Sequence, residues 1–363
     1  MADDFNNKIR GLKIENFTCF AKAEMEFSSG INVLIGENGT GKTHGLKVLY
    51  ACLKQIKNHS ENKKTYSFDD NLALFFGLTD DSQLNRNASN NSNELFKIHI
   101  EVEEKLSLDI NANRNDFTNP LLPFYQVAST IFNNVQDKLN FKFLFLPTQD
   151  MLTWHNGFVS LYLDKQLDFD KTYFDLAVAL DRPLDRLNGL SSLVQKIENL
   201  IGGKVIRKED KRFYFQNEAG SEYLATLNAQ GINKIGQLLY LIYNGSLKKG
   251  TVLFWDEPEV NLNPRYIKLV NIILKELANE GVQIFVATHD YLLVHLLSLD
   301  AEYREETQAP PMRFFSFYKG EDGSKIESAD NLTFIQNNSI LDEYAAYHDL
   351  ENRLYYQKHN TPV

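Results

Sequence analysis

Cysteine is nearly absent: Cys19 and Cys52 are the only two in 363 residues. That excludes a disulfide scaffold and a Cys-x-x-Cys metal site, and it suits a reducing cytosol, where the chain is expected to reside. Long apolar runs are lacking as well. The longest, over residues 141–146 and 291–299, are too short to cross a bilayer, and the start Met1-Ala2-Asp3-Asp4 is acidic where a secretory leader is basic. No membrane partner is expected. Basic charge is in deficit, with 38 Lys and Arg against 48 Asp and Glu and a formal net charge of −10. A polybasic tail or uniformly basic coat is thereby excluded, although a local basic patch is not. Neither an internal repeat nor a heptad run long enough for a coiled coil occurs. What remains is a globular chain, 43% hydrophobic, with enough apolar side chains for a packed core.

The pattern along the chain alternates strands and helices. Residues 8–15 read as a strand, 21–27 as its return, and 31–35 as a short apolar strand ending at a glycine turn. Leu46, Leu49, Leu53 and Ile56 recur at spacings of three and four, which predicts a helix over 42–57. Residues 58–93 are polar and include the Asn-rich stretch 85–93, expected to be a loop. Further strands are expected at 96–102, 106–110 and 141–146. Residues 156–200 read as mostly helical, punctuated by Pro183 and Gly189, followed by a hairpin over 204–216 and a short strand over 223–227. The last third repeats the first: a helix over 235–243, a buried strand over 251–255, a helix over 267–277 after Pro264, and a strand over 282–287. A hairpin over 314–327 and a terminal helix close the chain. This order places the fold in the α/β class.

Three strand ends carry chemistry. Gly36-Glu37-Asn38-Gly39-Thr40-Gly41-Lys42-Thr43 fits G-x-x-x-x-G-K-[ST] between a predicted strand and a predicted helix, the context that a phosphate-binding loop requires. Its glycines allow a tight turn whose N–H groups face phosphate, Lys42 would neutralise the β and γ phosphates, and the Thr43 hydroxyl would take a Mg²⁺ position. Val252-Leu253-Phe254-Trp255-Asp256-Glu257 ends a second strand on two acids: Asp256 on the metal side and Glu257 as the base that polarises water. A third strand ends at Thr288-His289-Asp290, with His289 placed to contact the γ-phosphate and the attacking water.

These residues resemble the ATP-binding-cassette type of P-loop ATPase, in the RecF, SMC and OLD-like branch. The resemblance rests on Asn38-Gly39 in the loop, on Ile14-Glu15-Asn16-Phe17-Thr18-Cys19-Phe20, and on Asp256-Glu257-Pro258-Glu259-Val260-Asn261-Leu262-Asn263-Pro264. It is closest to the compact bacterial AAA-family ATP-binding proteins found in defence or toxin loci. The resemblance implies ATP and Mg²⁺ as ligands and a mixed sheet core with a mainly helical insertion. It also implies a homodimer, or a higher homo-oligomer, that sandwiches ATP. Gly231 and Lys234, in Asn228-Ala229-Gln230-Gly231-Ile232-Asn233-Lys234, stand where a signature segment would face the partner's nucleotide; the alternative is an ordinary loop before a helix. Asn261 and Asn263 fall in the D-loop, and Gln149 falls where a Mg²⁺-sensing glutamine would be sought. Thr18 replaces the basic residue that relatives carry after Phe17.

The expected organisation is a first ATPase lobe over 1–150, a helical insertion with hairpin over 151–225, a second lobe over 226–320 and a C-terminal helical segment over 321–363. Three readings stay open for the output. The chain is the ATPase subunit of a defence or toxin module that controls a separate nuclease or toxin, a RecF-like repair ATPase that binds DNA directly, or a scaffold glued by ATP with negligible turnover. The basic cluster Lys204, Arg207, Lys208, Lys211 and Arg212, followed by Phe213, Tyr214 and Phe215, is either a nucleic-acid patch or a solvated hairpin with its aromatics in the core. Ile340, Tyr344, Tyr347 and Leu350 recur at helical spacing and either dock the last helix or meet a partner.

Overall fold

The computed structural model describes residues 8–60, 72, 74–78, 84, 94–102, 106–114, 125–133, 141–185 and 190–359. The Asn-rich stretch 85–93 and Gly189 lie outside the described residues. In chain order, β1 (Ile9–Phe17) and β2 (Phe20–Glu26) lead to β3 (Ile31–Gly36) and α1 (Lys42–Ser60), followed by β4 (Glu94–Val102), β5 (Leu106–Arg114), β6 (Tyr125–Asn133) and β7 (Lys142–Leu146). Next come α2 (Phe158–Leu163), α3 (Lys171–Leu180) and α4 (Ser191–Ile201), then β8 (Gly203–Arg207), β9 (Phe213–Asn217) and β10 (Glu222–Leu224). The last part holds α5 (Gln230–Tyr243), β11 (Thr251–Asp256), α6 (Pro264–Asn279), β12 (Gln283–Ala287), α7 (Tyr291–Glu302), α8 (Arg304–Thr307), β13 (Met312–Gly320), β14 (Gly323–Ala329) and α9 (Ser339–His359).

The central sheet has the order β14-β13-β3-β12-β11-β7. Every neighbouring pair is parallel except β13 with β14, the hairpin expected over 314–327. Its inner strands are apolar on both sides because both faces are covered. Leu34, Phe145, Phe254 and Phe285 point to one face, where they join α1 and the antiparallel sheet β2-β1-β4-β5-β6 in a single core. Val33, Leu146, Trp255 and Val286 point to the other, against Leu239 of α5, Ile273 of α6 and Val294 of α7. Trp255, Phe254 and Phe285 are fully buried, each contributing on the order of 1.5–3 kcal/mol by leaving water.

The helical segment after β7 is held to α1 by polar ties. Lys47 Nζ meets Asp170 Oδ2 at 2.9 Å, Lys54 Nζ meets Asp175 Oδ2 at 3.0 Å, and the Tyr50 hydroxyl donates to Asp175 at 2.9 Å. Asp170 also caps α3, accepting from Thr172 N. The segment closes on the small sheet β10-β9-β8. Because β3, β12, β11 and β7 are parallel neighbours, their carboxyl ends lie along one edge of the sheet. The residues that the sequence marks as chemical sit on that edge.

Candidate functional site

At the end of β3 the backbone takes a course that only glycine follows without strain. Gly36 has φ 138°, and a Cβ there would stand 2.1 Å from the Phe317 carbonyl oxygen; Gly41 has φ 98°, and a Cβ would strike Cys19 Sγ at 2.4 Å. Between them Glu37, Asn38 and Gly39 are exposed, and the Thr40 hydroxyl closes the loop by donating to the Glu37 carbonyl at 2.8 Å. Helix α1 opens at Lys42 with no acid in its first turn, so its free N–H groups and dipole present a positive end. Lys42 is buried, and its Nζ donates to the carbonyls of Gly36 at 2.7 Å and Glu37 at 2.9 Å. Burial lowers its pKa, against the opposing pull of Glu257 and Asp256. A buried cation beside a helix N-terminus is an anion site.

Asp256 ends β11 two strands away, and the Thr43 hydroxyl donates to its carboxylate at 3.1 Å. Burial, with Glu257 adding to it, pushes the Asp256 carboxyl up to about 6. These two hard oxygen donors suit Mg²⁺, which takes one or two protein ligands and completes its shell with phosphate and water. Among the described residues no cluster of three or more His, Cys, Asp or Glu could hold a metal by itself. The donor set therefore fits a metal that arrives with a nucleotide.

Glu257 adopts φ 48°, a left-handed conformation rare for its type. Its N–H donates to the Ala287 carbonyl at 2.9 Å, tying the tip of β11 to the tip of β12. Its Oε1 lies 3.2 Å from His289 Nδ1. That hydrogen bond holds the Glu257 carboxyl below its ordinary range and raises the imidazole above its own. Glu259 is a member of the site that sequence reasoning quoted without giving it a role. It is buried, its Oε1 accepts from the Thr288 hydroxyl at 2.7 Å and from His289 N at 3.1 Å, and burial raises its pKa. Thr148 was missed too: at the tip of β7 its hydroxyl comes within 3.5 Å of Asp256 Oδ2. Its neighbour Gln149 is exposed and lines a cavity of about 210 Å³ with Asp150, Trp154, Gln230, Lys234 and Asn261.

Gly231 and Lys234 lie inside α5, which begins at Gln230, one turn earlier than the apolar pattern over 235–243 predicts. Both are buried. A Cβ on Gly231 would stand 2.6 Å from the Asn261 carbonyl oxygen, so the glycine lets α5 approach the segment after β11. Lys234 Nζ donates to the Glu257 carbonyl at 2.6 Å and to that of Val260 at 3.4 Å, and burial lowers its pKa to about 8. Asn261, at φ 67°, is exposed, and the exposed Asn263 caps α6 by accepting from Arg265 N at 3.0 Å. Lys234 thus bears on Glu257 from within its own chain.

The basic hairpin resolves toward a solvated element. Phe213 and Phe215 are buried, Arg207 pairs with Asp181 at 2.6 Å, and Lys208 pairs with Glu222. Among the described residues no helix is long and apolar enough to cross a membrane.

A largely parallel sheet with a glycine loop, an acid pair and a histidine at adjacent strand tips defines a P-loop ATPase fold of the ATP-binding-cassette type. The chain belongs to the family described as "AAA domain, putative AbiEii toxin, Type IV TA system", which matches residues 53–295, about two thirds of its length. It is similar to the DNA replication and repair protein RecF of Bacillus velezensis, 32% identical over 71 residues, 19% of each chain. RecF of Pediococcus pentosaceus is 43% identical over 54 residues, 15% of this chain and 14% of that one. The matched stretches thus span less than one fifth of the length of these curated relatives. Among solved structures, the Smc head bound to the C-winged helix domain of ScpA aligns with 88% of this chain and 97% of its own at TM-score 0.50 and 14% identity. The Smc head with an extended coiled coil from Pyrococcus furiosus, bound to the C-terminal domain of ScpA, aligns with 93% and 100% at TM-score 0.50 and 12% identity. These two likenesses concern the fold.

Proposed function

We propose that the chain is a Mg²⁺-dependent ATP hydrolase working as a homodimeric switch, the ATPase subunit of a defence or toxin module that controls a separate effector. The observation that carries the hydrolytic part is Glu257, held beside His289 next to an acid that faces Thr43. Lys42 and the N–H groups of residues 36–43 hold the phosphate chain, Thr43 and Asp256 hold Mg²⁺, and the exposed Gln149 after β7 is the metal-sensing glutamine. When bound, the metal neutralises charge on the phosphate oxygens. Glu257, ionised at neutral pH and positioned by its hydrogen bond with His289, accepts the proton of the attacking water, and His289 donates toward the γ-phosphate. The exposed Asn261 and Asn263 supply the edge that meets nucleotide held by a second copy, Gly231 lets α5 pack behind that edge, and Lys234 fixes the turn between Glu257 and Val260.

The module role is supported by the family's description. The RecF matches favour a second reading, direct action on DNA, and the pairing of Arg207 and Lys208 with acids weighs against it. Light scattering with Mg²⁺-ATP tests the switch: the Glu257→Gln chain should dimerise markedly more tightly with ATP than without it, and self-association that ATP leaves unchanged contradicts the sandwich. The purified chain should leave DNA and RNA uncut with Mg²⁺ or Mn²⁺. Tight, ATP-dependent DNA binding lost at raised salt would instead favour the RecF-like reading.

A further inference from the structure

Helix α9 leaves the core soon after it begins. Ile340 and Leu341 pack on the main core and the Tyr344 ring stacks on Tyr291 at 3.9 Å, but every residue from 342 to 358 is exposed. Tyr347, Leu350 and Leu354 are 64%, 41% and 55% exposed. Most of a helix's stability in a protein comes from packing one face. At about 100° per residue, Glu343, Tyr347, Leu350, Glu351, Leu354 and Lys358 fall within an arc of roughly 100°. That arc continues the face that Ile340 uses to dock. The stripe which anchors the root of the helix therefore runs on with none of the described residues under it.

The same stripe is complementary to itself. Positions 343 and 358, 347 and 354, and 350 and 351 are each symmetric about the midpoint between residues 350 and 351. Laid antiparallel on a second copy across a two-fold axis at that midpoint, Glu343 faces Lys358 twice, Tyr347 faces Leu354 twice, and Leu350 and Glu351 of both copies straddle the axis at the centre. A parallel pair would set Glu343 against Glu343 and Lys358 against Lys358, so charge selects the antiparallel arrangement. A symmetric, self-complementary patch is what a two-fold interface requires.

We infer that α9 is a self-pairing arm, binding α9 of a second copy antiparallel through Tyr347, Leu350 and Leu354 with reciprocal Glu343–Lys358 pairs, and so holding two copies together without nucleotide. The inference rests on the homodimer of the proposed function and adds a contact that does not depend on ATP. One helix pair buries less than a standard interface, so the association is weak and reversible and leaves the heads free to open.

Sedimentation of the full-length chain without nucleotide, over a range of concentrations, tests the arm. The wild type should show a reversible monomer–dimer equilibrium. Glu343→Lys and Lys358→Glu should each weaken it at least about tenfold, while the two combined in one chain, or the two single variants mixed, should restore it. Leu354→Glu should abolish it. All these positions are exposed, so helix content and melting temperature should stay at wild-type values. A wild type that is monomeric throughout without nucleotide overturns the inference, as do single variants that associate normally, a double variant that fails to recover, or a monomer that uses this stripe for a different protein. The ATP-dependent dimerisation of the Glu257→Gln chain is read separately. Its failure would count against the sandwich, whereas unaltered association of the charge variants would count against the arm alone.

Discussion

Glu257 occupies backbone space that costs a non-glycine residue on the order of 1 kcal/mol or more, and neighbouring groups hold it there. Its N–H is fixed by Ala287, its carbonyl by Lys234 and its carboxylate by His289. The carboxylate and the imidazole perturb each other in opposite senses, and each sense has a consequence for stability. The His289 pKa is raised, so its contribution is fully present below the ordinary value of about 6.5 and is lost as pH rises through the higher folded value. The Glu257 pKa is lowered, so its contribution is present above about 4.5 and is lost as pH falls through the lower folded value. His289→Ala should therefore lower the melting temperature most between about pH 4.5 and 6.5, with the deficit shrinking on either side. Calorimetric scans of both proteins across pH check this, and a deficit that does not vary with pH would mean the pair is not ionised. The loop residues, Asp256 and Glu257 were legible in the sequence because their chemistry demands fixed spacing beside a strand. Glu259 and Thr148 were not. Their partners, Thr288 and Asp256, come from other strands, and only the sheet order brings them near.

At the scale of elements, the candidate site is a set of strand tips and one helix pressed behind them. Strands β3, β7, β11 and β12 were readable as apolar runs. The start of α5 was not, because its first turn carries Gly231, Asn233 and Lys234, which are buried by packing and hydrogen bonding that hydrophobic periodicity does not register. Asn233, for instance, donates to the Ala225 carbonyl at 2.8 Å. Helix α7 read only as an apolar run, since its sequence has little polar alternation; Asp290 caps it by accepting from Leu293 N at 2.7 Å. Strand β6 gave no clear pattern at all. The contact of α5 with the turn after β11 predicts the behaviour of two variants. In Gly231→Ala, the added methyl meets backbone and should displace residues 260–262. In Lys234→Met, two carbonyls lose their charged donor, at a cost of about 2–4 kcal/mol in stability. Both should retain ATP affinity at Lys42 while turnover falls at least about tenfold, as measured by equilibrium nucleotide binding beside steady-state hydrolysis. Wild-type turnover in both would mean that α5 does not position Glu257.

For the whole molecule, the fold gathers its chemistry on one edge of the central sheet and leaves α9 projecting beyond the core. The α/β class, the phosphate loop and the terminal hairpin were legible from short-range pattern. How α9 sits was not, because Ile340 and Tyr347 have the same helical spacing whether or not anything lies beneath them. If the homodimeric reading holds, ATP turnover per chain should rise with protein concentration until the dimer is saturated. The central claim is that Glu257 activates water on ATP held by Lys42. Its most direct test is Mg²⁺-dependent single-turnover hydrolysis by wild type, Glu257→Gln and Lys42→Ala, with ATP binding measured in parallel. The account predicts that Glu257→Gln binds ATP as tightly as wild type yet hydrolyses it on the order of 10² to 10⁴ times more slowly, and that Lys42→Ala does not bind it. Hydrolysis at the wild-type rate by Glu257→Gln would contradict it.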